Sequence, residues 1–179
     1  CAEDATKLAQ AMRRAGLSTE AQQVVLTDAQ ATVGNIRGAV SRMAREVGPN
    51  DVFVFFYSGH GGQREGSRDV RELDGIDETL HVYDGDILDD ELGTMFDGLN
   101  TNLAVLSLDS CFSGGFAKDV ITRTGRVGFF SSQEDVESAV FRLDRSDHRR
   151  DGIRIADVHR RRPGARRRCV DRRAGRVPR

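Results

Sequence analysis

The sequence is poor in the devices that hold small domains together from outside their cores. Three cysteines, Cys1, Cys111 and Cys169, lie far apart in 179 residues, an odd number without a Cys-x-x-Cys pair. This argues against a disulfide framework and gives no footing for a zinc ribbon or a redox dithiol. A reducing, cytoplasmic compartment suits such a chain. No stretch approaches 18 uninterrupted apolar residues, so no membrane span is expected, and no charged-then-apolar leader opens the chain. It opens on Cys1 rather than Met, which reads as a piece of a longer protein. Lysine is missing from residues 142–179, where 15 Arg face 5 Asp for a net charge of +10. The preceding 141 residues carry 12 Lys plus Arg against 23 Asp plus Glu, a net −11. The overall −1 therefore hides two different compositions.

What is present is enough apolar content, 38%, for one soluble domain with a sizeable core. Two apolar runs stand out. Leu103-Ala-Val-Leu-Ser-Leu-Asp109 ends in Ser110, Cys111, Phe112, Ser113 and two glycines, and Asp51-Val-Phe-Val-Phe-Phe-Tyr57 ends in Ser58, Gly59, His60, Gly61 and Gly62. Short apolar runs bounded by turn residues read as buried parallel strands, and reactive residues of open α/β sheets collect beyond the carboxyl ends of such strands. Neighbouring strands would bring His60 and Cys111 together across 51 residues of sequence. An imidazole beside a thiol can draw off its proton or balance the thiolate. A lone cysteine after a strand is more often a small buried hydrophobe; the paired histidine tip shifts the balance toward a dyad.

The chain in order alternates helix and strand. Residues 1–16 read as a helix with Ala5, Leu8, Ala9 and Met12 on one face and a stop at Gly16. Gln23–Thr27 reads as a short strand, and a helix runs from about Asn35 to Val47 with Ile36, Val40, Met43 and Ala44 on its buried side. Gln63 to Asp90 reads as a long polar loop with seven Asp and three Glu. A helix begins at Asp89, its first-turn acids favoured by the helix dipole. Gly115 to Gly125 reads as a flexible loop, and the piece from Arg126 as a further strand with Ser131, Ser132 and Gln133 at its tip. Such alternation implies right-handed βαβ units and a mostly parallel sheet covered by helices.

Ser-Gly-His-Gly-Gly at one tip and Asp-Ser-Cys-Phe-Ser-Gly-Gly at the other resemble the two catalytic motifs of caspase-like cysteine peptidases, most closely those of metacaspases and their bacterial relatives. The spacing agrees with a caspase histidine about 50 residues upstream of the nucleophile. The local motif is Asp-Ser-Cys rather than the caspase Gln-Ala-Cys. The resemblance implies a three-layer α/β/α fold and a p20-type catalytic domain over residues 1–140, its first strand lying upstream of Cys1. It implies Cys111 as nucleophile, His60 as general acid and base, and the backbone N–H groups of Gly61 and Cys111 as the oxyanion site. A pocket of Asp4, Ser58, Asp109 and Cys1 would accept Arg or Lys before the cut, although Asp109 also reads as a turn cap. The acidic loop resembles a metacaspase calcium site, with Asp77, Asp89 and Asp90 as ligands; a solvated surface loop is the alternative. Self-processing at Lys118, Arg123 or Arg126 is a further implication. No third triad member is identifiable.

The expected activity is thus a calcium-activated cysteine endopeptidase acting as a monomer on protein or peptide substrates, away from membranes. The alternative is a catalytically inactive caspase-like interaction module or a truncated fragment. Residues 141–179 lie beyond the resemblance. They read as a basic tail for nucleic acid or another polyanion, as a disordered linker, or, the reading favoured, as a shifted frame of a GC-rich gene.

Overall fold

A computed structural model describes residues 1–65 and 75–136 of the chain. Its elements are α1 (Ala2–Arg14), α2 (Val33–Glu46), β1 (Val52–Ser58), β2 (His60–Glu65), β3 (Ile76–Val82), β4 (Gly85–Leu88), α3 (Asp89–Asp97), β5 (Leu103–Asp109), α4 (Ala117–Val120) and β6 (Arg126–Phe130). The parallel sheet runs β1-β5-β6 and the antiparallel one β2-β3-β4. The expectation from residues 141–179 lies outside the described residues.

The parallel sheet is an α/β arrangement set by alternation along each strand. In β5, Ala104, Leu106 and Leu108 are buried while Leu103 and Asp109 are exposed. Phe53 and Phe55 of β1 point to the same side and meet Phe96 of α3 edge-on, with ring centroids 5.6 and 6.2 Å apart. Ile36 and Val40 of α2 join that core. Ser58, three residues from Phe55, faces the other way and bonds Asp4 of α1. The sheet therefore has α2 and α3 on one face and α1 on the other, a three-layer order consistent with a caspase-like fold. In α1 the stripe Ala5, Leu8, Ala9 and Met12 is half-buried, and Gly16 takes φ +71° just after the helix. Thr32 caps α2 by accepting the Asn35 N–H at 3.1 Å.

Three expectations are corrected. Gln23–Thr27 forms no strand. Its polar residue is bound sideways instead: Gln23 donates to the Ala9 carbonyl at 3.0 Å and to Ser18 at 2.7 Å, and accepts from Arg13 at 2.7 Å. The polar stretch after His60 is not simply a loop, because residues 60–65, 76–82 and 85–88 pair as a meander. Its apolar content is thin but well placed: Leu80 and Ile87 are opposite each other and fully buried. The segment after Cys111 is not a flexible loop either. A 3-10 turn at Ser113–Phe116 leads into α4, and Phe116 and Val120 bury almost completely. Lys118 and Arg126, read as self-processing sites, stand in α4 and β6, and Arg126 is only 6% exposed.

Candidate active site

The site begins with strand register. Ser58 pairs with Asp109 at the matching carboxyl ends of β1 and β5. His60 follows two residues after the first and Cys111 two residues after the second, so both lie beyond the same edge of the parallel sheet. His60 is not on the β1 tip itself; it is the first residue of β2. Gly61 lies so close to Cys111 that a Cβ there would run into the Cys111 carbonyl oxygen. Glycine is required at this position for contact between the two tips.

The chain turns sharply just after Cys111. Phe112 adopts φ +55°, a left-handed conformation that a non-glycine residue takes only when its surroundings hold it. Its N–H donates to the Val136 carbonyl at 3.1 Å. Two serines at the β6 tip brace the same turn. Ser131 accepts the Ser110 N–H at 3.0 Å and donates to the Ser110 carbonyl at 3.1 Å, while Ser132 accepts the Ser113 N–H at 3.1 Å. Cys111 itself is half-buried, and His60 is exposed.

Asp4, Ser58 and Asp109 converge beside this turn. The Ser58 Oγ stands 3.2 Å from Asp4 Oδ2 and 3.4 Å from Asp109 Oδ2, so one hydroxyl lies between two carboxylates from different elements. Cys1, named with them, is exposed at the N-terminal end of α1. Two acids and a hydroxyl are thus gathered at the carboxyl ends of β1 and β5.

Residues 1–119 match the metacaspase, peptidase C14 domain. The chain belongs to the metacaspase family. It is 36% identical over 128 residues to Metacaspase-1 of Schizosaccharomyces pombe, covering 64% of this chain and 30% of that protein. It is 38% identical over 103 residues to Metacaspase-1 of Sclerotinia sclerotiorum, covering 51% and 24%, and 39% identical over 103 residues to Metacaspase-1A of Aspergillus niger, covering 51% and 25%. The chain thus spans between 24% and 30% of the length of these relatives. A crystal structure of a protein from Geobacter sulfurreducens is similar with a TM-score of 0.44 and 33% identity, covering 49% of this chain and 33% of that one. No helix among the described residues is long and apolar enough to cross a membrane.

Three features of this metacaspase site were not read from the sequence. The Tyr57 hydroxyl lies 2.8 Å from the His60 carbonyl and 2.6 Å from the His81 carbonyl, joining β1 to the first pair of the meander. Burial raises the Tyr57 pKa, so the phenol keeps its proton for this role. Next to it, His81 is directly opposite His60 in the ladder and Asp86 opposite His81, with His81 Nδ1 at 2.5 Å from Asp86 Oδ1. Lys118 is the third, its ammonium hydrogen-bonded to Glu78 of β3 and to Glu134 beyond β6. The Tyr57–His81 and Lys118 contacts join segments far apart in sequence, whereas His81 and Asp86 face each other across the β3–β4 hairpin.

Of the residues read as calcium ligands, Asp77 lies near the start of β3, and Asp89 and Asp90 lie in the first turn of α3. Among the described residues no group of three or more His, Cys, Asp or Glu side chains is placed to hold a metal. Asp77 Oδ2 is 3.9 Å from Arg64, and only its Oδ1 is buried without a hydrogen bond. Asp89 is fully buried and accepts the N–H groups of Asp90 at 2.9 Å and Glu78 at 3.3 Å.

Proposed function

We propose that this metacaspase-family chain is a cysteine endopeptidase that cuts after Arg or Lys, with Cys111 as nucleophile and His60 as general acid and base. The observation that carries the reading is the Ser58–Asp109 register, which sets both motif tips side by side with Asp4 against them. The Cys111 thiolate attacks the scissile carbonyl carbon, and the electron pair moves to the carbonyl oxygen. The N–H groups of Gly61 and Cys111 receive that oxyanion. On collapse, the C–N bond breaks and protonated His60 delivers its proton to the departing amine. Water, losing a proton to His60, then opens the thioester and releases the acid with Cys111 restored.

Specificity follows from charge. Asp4 and Asp109 would meet a guanidinium with paired, charge-assisted hydrogen bonds that a lysine ammonium matches less well. An aspartate before the cut would face two like charges. The test is hydrolysis of matched fluorogenic peptides ending in Arg, Lys or Asp by the chain, by Cys111→Ala and by Asp109→Asn. Arg cleavage is expected to exceed Lys cleavage, to vanish in Cys111→Ala and to fall in Asp109→Asn mainly through KM. Preference for Asp peptides, or unchanged Arg cleavage in Cys111→Ala, would refute the reading.

A further inference from the structure

The buried joint behind the Cys111 turn is organised around a cation of the chain itself. Lys118 Nζ donates to Glu78 Oε2 and Glu134 Oε1, each at 2.7 Å, and lies 4.0 Å from Asp89 Oδ2. Glu78 and Asp89 have no exposed surface, and the Lys118 side chain is 21% exposed. The other Glu78 oxygen accepts from Gln63 Nε2 at 3.2 Å. The carboxylate occupies the space that a side chain at residue 115 would need, so Gly115 keeps the turn against it. Strand β3, the start of α3, helix α4 and the segment after β6 thus meet at one ammonium, seven residues beyond Cys111.

Carboxylates taken out of water need a compensating charge. A divalent ion could provide it, but it would have to enter beside an ammonium already hydrogen-bonded to the same oxygens, against like-charge repulsion strengthened by burial. Lysine also arrives tethered, at the high effective concentration of an intramolecular partner. We infer that the Lys118 ammonium takes the place of a divalent cation at this joint, so that the turn carrying Cys111 is set without calcium. The consequence for activity rests on the peptidase reading; the charge compensation does not.

Calorimetric titration of calcium chloride into the full chain, and thermal melts in calcium and in chelator, test this. The wild-type chain is expected to show no saturable heat up to millimolar calcium, and its melting temperatures in the two buffers to agree within about 1 °C, since a ligand that does not bind the native state cannot stabilise it. Lys118→Asp is expected to melt lower in chelator and to recover with calcium, whereas Lys118→Arg stays indifferent to the metal. Saturable calcium binding by the wild-type chain with a rise in melting temperature would overturn the inference. Should Lys118→Asp fail to fold in either buffer, the wild-type titration decides alone. Arg-peptide hydrolysis undiminished in chelator would agree with it; no hydrolysis in either buffer would sink the peptidase reading while the titration still answers the question of the cation.

Discussion

His81 stands directly across the ladder from His60, and its ring leans over Gly62. A Cβ at residue 62 would lie 2.5 Å from His81 Nε2 and 3.1 Å from Thr79 Oγ1, well inside van der Waals contact. Asp86 keeps the imidazole there through Nδ1, so the ring has little freedom to yield. Gly62→Ala is therefore expected to overpack the strand at a cost of about 1–3 kcal/mol, and to push the start of β2, where His60 sits, out of line. The loss should show as a lower kcat for peptide hydrolysis as well as a lower melting temperature. His81→Ala removes the obstacle, so the double variant should recover much of both. The coupling in a double-mutant cycle is expected at about 0.5–3 kcal/mol. Strictly additive effects would mean that the ring does not occupy the space above Gly62.

At the scale of elements, the start of α3 carries a pH-dependent strain. Burial pushes the Asp89 carboxyl up to about 8, against the N–H bonds from Asp90 and Glu78 that pull it down, and with Asp119 adding to the rise; below that pH it stands neutral 4.0 Å from Lys118, whose ammonium is hydrogen-bonded to Glu78 and Glu134 instead. In the unfolded chain an Asp ionises near 3.9. Between those values the folded state holds a proton that the unfolded state has released, so stability falls as pH rises from about 4 to about 8. The stabilisation is fully present below the lower value and lost above the higher. Denaturant midpoints of the wild-type chain should decline from pH 5 to pH 8, and Asp89→Asn should flatten that decline. An equal decline in both proteins would assign the slope to other groups. The same elements show what a sequence can reveal. Strands β1, β5 and β6 are legible because each is a short apolar run, and α1 and α2 because their apolar residues repeat at helical spacing. The meander is hidden because its strands are mostly polar: β2 reads His-Gly-Gly-Gln-Arg-Glu, and Asp77, Glu78 and Thr79 of β3 are buried although polar. Helix α4 has only four residues, too few for a period to show. Of the site, the tip residues could be read from the ends of apolar runs. The Tyr57 and Lys118 contacts could not, since they join remote segments, nor could the His81–Asp86 pair, which depends on a hairpin that its polar strands hide.

For the whole molecule, one face of the parallel sheet and the charge of the chain are linked problems. Phe53, Leu106, Leu108 and Phe96 fill the face under α2 and α3, whereas Val52, Leu103, Val127 and Phe129 on the other face remain between 38% and 58% exposed. That face also carries Ser58 and Asp109, so it is partly apolar and locally acidic. Its acidity is not confined to the site: residues 1–141 hold a net −11 and residues 142–179 a net +10. A long-range field from the first part attracts basic peptides and repels polyanions, and salt weakens both effects. The basic segment would act oppositely, gaining from release of counterions when it meets a polyphosphate or a sulfated chain. The full chain is accordingly expected to be retained on heparin at low salt and to elute on modest addition of salt, while the chain ending at residue 141 flows through. Retention of the shorter chain would show that polyanion binding belongs to the catalytic unit. Failure of the longer chain to bind would show that its basic charges are neutralised by the acidic ones, and a nucleic-acid partner through that segment would then be excluded.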